Sequence, residues 1–167
     1  MKNFYLLGMP GSGKSTMAKY ISSVTKLKFV DLDDEIEKKE NRSINEIFNH
    51  ENESYFRNKE SEILKTIIEK ENHFILSTGG GTPCFKNNLE VMNENGISIF
   101  LNTSISVLIE RIKRKDKRPL FKKGNTEEIV KKMFNDRIKF YSMSKYSVTN
   151  NNREKVLSII NSNTQRN

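Results

Sequence analysis

The segment Gly8-Met-Pro-Gly-Ser-Gly-Lys-Ser15 constrains this chain more than any other feature. It fits the pattern G-x-x-x-x-G-K-[ST], after a short apolar run at 4–7 and before a helical pattern over about 14–24. A strand, glycine loop and helix in that order hold phosphate for simple reasons. Glycines let consecutive backbone N–H groups turn inward around anionic oxygens, and the helix start adds the positive end of its dipole. Lys14, at a solvent-facing loop–helix junction, reaches the β- and γ-phosphates of a nucleotide, while the Ser15 hydroxyl can ligate Mg2+. The motif points to nucleotide phosphates and says nothing of the acceptor.

Around this loop the chain reads as an alternating α/β domain. Apolar runs at 28–30, 74–76, 97–101 and 146–149 extend the strand series begun at 4–7. Apolar positions keep helical spacing from 43 to about 70, and further helices are expected near 85–95, 104–114, 126–142 and 155–160. Gly96 is expected to cap the helix at 85–95, and the polar tail at about 161–167 to fray. This alternation implies a three-layer α/β/α arrangement, a mostly parallel sheet covered on both faces, in one domain spanning 1–167. Ligands in such folds bind beyond the carboxyl ends of the strands. Gly8, Gly11 and Gly13 follow the first strand and Gly79, Gly80 and Gly81 the third, which suits close backbone approach to a ligand.

The net charge of +8 allows either nucleic-acid affinity or a site for anionic small molecules. Much of the excess lies at 110–123, where Arg111, Lys113, Arg114, Lys115, Lys117, Arg118, Lys122 and Lys123 face only Glu110 and Asp116. No apolar stretch reaches the ~20 residues of a membrane span, and the N-terminus lacks signal-peptide architecture. One cysteine, Cys84, excludes an intramolecular disulfide framework; a partly buried, inert thiol is expected there. A cytoplasmic monomer is the expectation.

Acceptor chemistry must come from the remaining residues. Asp31-Leu32-Asp33 is expected to end the second strand, setting two alternate carboxylates beside the loop. One suits Mg2+ and the other a substrate hydroxyl proton; helix-start chemistry by Asp33, Asp34 and Glu35 explains them equally well. Arg57, with Glu53 at i−4 and Glu60 at i+3, reads by itself as a surface salt bridge. The run at 79–81 offers N–H groups to an anion. Arg118-Pro119-Leu120 reads as a lid bringing an arginine to the transferring phosphoryl group, with a nucleic-acid patch or a solvated loop as rivals. Arg137 and Tyr141 share a helix face and, taken alone, read as surface. His50 and His73 lack metal-ligand spacing.

Together, GMPGSGKS at 8–15, DLD at 31–33, Phe56-Arg57 with Glu60, GGG at 79–81, RPL at 118–120 and Arg137 with Tyr141 resemble the shikimate kinases. The resemblance covers about Phe4 to Arg153, with the motifs in that family's order. It implies a five-stranded parallel sheet of order 2-3-1-4-5, in the P-loop manner of nucleoside-monophosphate kinases, with a mobile lid at about 112–125. It implies transfer of the γ-phosphate of ATP to the 3-hydroxyl of shikimate, in chorismate and aromatic amino-acid biosynthesis, with Mg2+. Asp33, Arg57, Gly79, Gly80, Gly81 and Arg137 would hold shikimate. Gly11, Ser12, Gly13, Lys14, Ser15, Thr16, Arg111, Arg118 and Arg153 would hold ATP, with Ser15 and Asp31 at the metal. Lys14, Asp33 and Arg118 would carry the chemistry.

The chain departs from that pattern in three places. Thr149-Asn-Asn-Asn-Arg153 lacks the proline often found in the adenine-contacting segment, the lid is rich in lysine, and Thr82-Pro-Cys84 replaces small apolar residues. The nearest rival is a kinase of this fold acting on gluconate or a nucleoside monophosphate, which would not need DLD, Arg57, GGG and Arg137 together. A nucleotide-dependent nucleic-acid binder using 111–123 is a rival of another class, but a single aromatic, Phe121, falls among its cations. An inactive regulatory relative is disfavoured, because every motif position the chemistry needs is filled.

Overall fold

The computed structural model describes residues 2–114 and 125–164. Segment 115–124, with Arg118, Pro119, Leu120 and most of the expected lid, lies outside the described residues, as do 165–167. The described strands are β1 (Asn3–Leu7), β2 (Lys28–Asp31), β3 (Phe74–Ser77), β4 (Gly96–Asn102) and β5 (Tyr146–Thr149). The described helices are α1 (Lys14–Val24), α2 (Leu32–Glu40), α3 (Ile44–His50), α4 (Glu53–Lys70), α5 (Asn88–Glu94), α6 (Ile105–Arg114), α7 (Thr126–Tyr141) and α8 (Arg153–Thr164). All pairings are parallel and the order is β2-β3-β1-β4-β5, as the resemblance implied.

Central β1 is buried along its whole length, and its side chains part to the two faces of the sheet. Phe4 and Leu6 join Ile75, Ile99 and Leu101 under Met17 and Ile21 of α1 and Val156 and Ile159 of α8. Tyr5 and Leu7 join Leu76 and Phe100 under Ile36 of α2, Leu64 of α4, Leu108 of α6 and Tyr141 of α7. A strand covered on both faces is apolar at most positions, which explains the largely hydrophobic runs, with Asn3, Ser77 and Ser98 as buried polar exceptions. Each fully buried side chain of this kind contributes about 1.5–3 kcal/mol.

Several boundaries differ from the sequence expectations for local reasons. The helical stretch 43–70 is two helices. The Glu51 N–H closes α3 on the Ile47 carbonyl, and the Asn52 side chain accepts the Tyr55 N–H at 2.9 Å to open α4. The period runs through the break because both helices face one core. The helix expected at 85–95 is α5, which starts three residues later, and a 3-10 turn at Thr82–Cys84 precedes it. Gly96 is not a helix cap but the first residue of β4; a Cβ there would lie 2.3 Å from the Asn3 carbonyl oxygen. Residues 161–164 continue α8 rather than fraying. Finally, β2 stops at Asp31, so Asp33 sits in the first turn of α2 and not at the strand's end.

Candidate active site

The glycine loop crosses from the carboxyl end of β1 into α1. Gly13 caps that helix at φ 91°, a backbone state that side chains resist. Lys14 is only 8% exposed, and its Nζ donates to the carbonyls of Gly8 and Met9 at 3.0 and 3.1 Å. The ammonium therefore curls into the loop, and the solvent-facing junction expected from the sequence is corrected. Ser15 Oγ donates to Asp31 Oδ2 at 2.7 Å and lies 3.0 Å from Ser77 Oγ. The other oxygen of Asp31 accepts the Asp33 N–H at 3.1 Å, so Asp31 is the cap of α2. One carboxylate beside two hydroxyls is a hard-oxygen set that suits Mg2+, an ion that keeps water and takes further ligands from phosphates. Among the described residues no group of three or more His, Cys, Asp or Glu could enclose a metal.

A cavity of about 480 Å³ opens over this loop, bounded further out by Arg111, Arg114, Asn151 and Arg153. Arg111 Nη1 donates to the Gly11 carbonyl at 3.2 Å, and the Arg153 guanidinium stands 4.5 Å over the Tyr20 ring. Thr149 ends β5, Asn150 and Asn151 turn through left-handed backbone at φ 54° and 49°, and Arg153 opens α8. Asn151 Nδ2 donates to the Ser12 carbonyl at 2.8 Å, tying this turn to the phosphate loop.

A second cavity, of about 500 Å³, lies between α2, α3, α4 and α7. Arg57 projects from α4 at 9% exposure, well away from the surface salt bridge its spacing suggested. Its Nη1 donates to Glu60 Oε2 at 2.8 Å, and its Nε and Nη2 donate to Glu53 Oε1 at 3.3 and 3.2 Å. Glu60 is fully buried, and its Oε1 accepts the Thr82 hydroxyl at 2.6 Å. The triple glycine is explained by close approach. A Cβ on Gly81 would lie 2.6 Å from Arg57 Nη2, and one on Gly80 would meet Pro10 at 2.7 Å and Arg137 Nη1 at 3.2 Å. Tyr141, expected at the surface, is buried; its hydroxyl donates to the Gly80 carbonyl at 2.6 Å, and its ring stacks on Phe100. Burial pushes that hydroxyl's pKa well above the ordinary phenol value.

The two cavities share Pro10, Asp33, Gly79 and Gly80. Asp33 thus stands at the junction, its Oδ1 3.1 Å from where a Gly79 Cβ would be. Of the expected nucleotide residues, Gly11, Gly13, Lys14, Ser15, Thr16, Arg111 and Arg153 line the first cavity together with Asp31. Ser12 does not; it is fully buried and its carbonyl holds Asn151. Gly79, Gly80, Gly81, Arg57, Arg137 and Asp33 all line the second. Arg118 lies outside the described residues. Sequence reasoning missed Ser77, Thr82 and Asn151. Ser77 ends β3 where many P-loop proteins carry an acid, and that position was the available signal; nothing local marked Asn151 within its asparagine run. Burial pushes the Cys84 thiol pKa up against the pull of Arg137 and Arg57, which fits the inert cysteine expected there.

The shikimate kinase family model matches residues 10–166. Shikimate kinase of Persephonella marina is 41% identical over 144 residues, covering 86% of each chain. That of Flavobacterium psychrophilum is 42% identical over 153 residues, covering 89% of each. The solved shikimate kinase from Acinetobacter baumannii in complex with shikimate matches with a TM-score of 0.90 at 29% identity. That match covers 99% of this chain and 96% of that one.

Proposed function

The chain belongs to the shikimate kinase family, whose ATP-dependent reaction phosphorylates a shikimate hydroxyl, and we propose how its own residues divide that work. The observation that carries the assignment is the pair of cavities meeting at Asp33, Pro10, Gly79 and Gly80. One holds the triphosphate against the glycine loop, and the other holds the acid, so the γ-phosphate and a substrate hydroxyl come together where they join.

Arg57 and Arg137 bind the shikimate carboxylate, because planar guanidinium forks match a carboxylate in a way lysine does not. Glu60, held by Thr82, fixes Arg57 from below. Asp33 orients the 3-hydroxyl and takes its proton as oxygen attacks the γ-phosphorus; the bond to the β-phosphate oxygen breaks and ADP leaves. Lys14 leaves the carbonyls of Gly8 and Met9 for the phosphates, and Arg118 meets the charge spreading over the transferred group. Ser15 and Asp31 would hold Mg2+, which when bound would supply neutralisation of phosphate charge. Arg111 and Arg153 take the nucleotide's outer end. The chain acts as one domain, a monomer in the cytoplasm, with its lid over about 112–125; no described helix is long and apolar enough to cross a membrane.

ADP release measured against shikimate, gluconate, nucleoside monophosphates and single-stranded RNA tests the reading. Turnover is expected with shikimate alone. Arg57→Ala and Arg137→Ala each raise shikimate KM about 10–100-fold, the loss of one charge-assisted hydrogen bond, and leave ATP KM in place. Turnover with another acceptor, or an unchanged shikimate KM in both variants, overturns it.

A further inference from the structure

Arg57 is restrained by more than its carboxylate partners. Hydrogen bonds to Glu60 and Glu53 occupy three of the five N–H donors of a guanidinium and leave one on each terminal nitrogen. Two rings also meet it: the Phe56 centroid lies 5.0 Å from the guanidinium carbon and the Phe85 centroid 4.4 Å. Phe56 is buried beside Arg57 in sequence, whereas Phe85 arrives from beyond the triple glycine and is 36% exposed. The two residues after it, Lys86 and Asn87, both adopt left-handed backbone, at φ 54° and 57°. Such conformations persist in non-glycine residues where the surroundings over-determine them, often beside functional sites. Phe85 is not among the residues lining the acceptor cavity, so it meets that site through Arg57.

We propose that Phe85 is a positioning residue for acceptor recognition: its ring covers the Arg57 guanidinium, shields it from water and keeps its two remaining N–H groups directed into the cavity. This rests on the reading that Arg57 binds the acceptor carboxylate. Glu53 makes the cover matter. Its carboxylate is 61% exposed, already accepts two Arg57 donors, and draws the guanidinium outward once the ring is gone. A cation lying over an aromatic face resists that displacement.

Steady-state kinetics on Phe85 variants decide the matter. Phe85→Ala raises shikimate KM about three- to tenfold, as loss of one partly exposed cation–ring contact predicts, while kcat and ATP KM stay within about twofold. Phe85→Tyr keeps a ring and restores the KM; Phe85→Leu keeps apolar bulk without a ring face and does not. In an Arg57→Ala background, Phe85→Ala adds nothing. An unchanged KM in Phe85→Ala, rescue by leucine equal to that by tyrosine, or a further rise in the Arg57→Ala background each overturns the proposal. So does a fall in Tm accompanied by equal rises in both substrates' KM, which marks a packing role. Arg57→Ala alone leaving shikimate KM unchanged sinks the underlying carboxylate assignment instead, so the two failures are distinct.

Discussion

Asp31 and Asp33 stand two residues apart and do different work because one is a cap and the other is not. Asp31 uses one oxygen on the Asp33 N–H and the other on the Ser15 hydroxyl, so it is tied both to the start of α2 and to the phosphate loop. Asp33 sits two residues further in, within the first turn of α2, at the junction of the two cavities. The capping role therefore falls to Asp31, and Asp33→Asn removes no cap, only one of the three first-turn charges of α2. That substitution preserves shape and abolishes charge and basicity. We expect kcat to fall on the order of 10²–10⁴-fold, toward the lower end if the transition state is loose. Shikimate Kd should change far less and Tm hardly at all. Near-normal kcat in Asp33→Asn would take it off the catalytic list.

At the scale of elements, the acceptor cavity depends on the break between α3 and α4. Ser43-Ile-Asn-Glu46 forms a capping box at the start of α3, Glu46 Oε2 accepting the Ser43 N–H at 2.8 Å while Ser43 Oγ accepts the Glu46 N–H at 3.2 Å. Asn52 then restarts the chain as α4, whose first turns carry Glu53, Phe56 and Arg57. Ile44 and Phe48 of α3 line the same cavity. Asn52→Ala removes the side-chain acceptor for the Tyr55 N–H and should cost about 0.5–2 kcal/mol, read as a lower denaturation midpoint. Because the start of α4 sets Arg57, shikimate KM should rise modestly with ATP KM unchanged. A variant as stable as the parent would show that the packing of α4 holds the break without its cap.

At the scale of the molecule, the covered sheet buries polar tips along with apolar faces. Burial pushes Tyr5 up to about 12 from its ordinary 10.0, and raises Tyr141 as well. A raised phenol means the fold disfavours the phenolate. Its contribution to stability is complete below the unfolded value near 10 and is lost as pH climbs from there through the folded value. Stability should therefore fall steeply above about pH 10. Melting curves from about pH 8 to 11.5 should show a shallower alkaline decline in Tyr5→Phe and Tyr141→Phe than in the parent. Parallel curves for all three would mean that other groups control the alkaline limit.

The sequence by itself determined the parallel sheet, its strands and the phosphate loop, because these rest on short-range rules. Short, mostly apolar runs mark strands covered on both faces, and glycines before Lys14 and Ser15 mark a loop whose backbone must face an anion. The ordered set of motifs carried the family. Local spacing could not say that Arg57 is buried, since Glu53 and Glu60 at helical offsets describe a surface pair equally well. Nor could it say that Tyr141 is a core residue, that Lys14 is folded into its own loop, or that residues 43–70 form two helices. Those features depend on which segments, distant in the chain, close over them: Thr82 on Glu60, Gly80 on Tyr141, Asn151 on Ser12. Tertiary structure decided them because burial and hydrogen-bond partnership belong to the assembled sheet and its covering helices, not to any stretch of sequence alone.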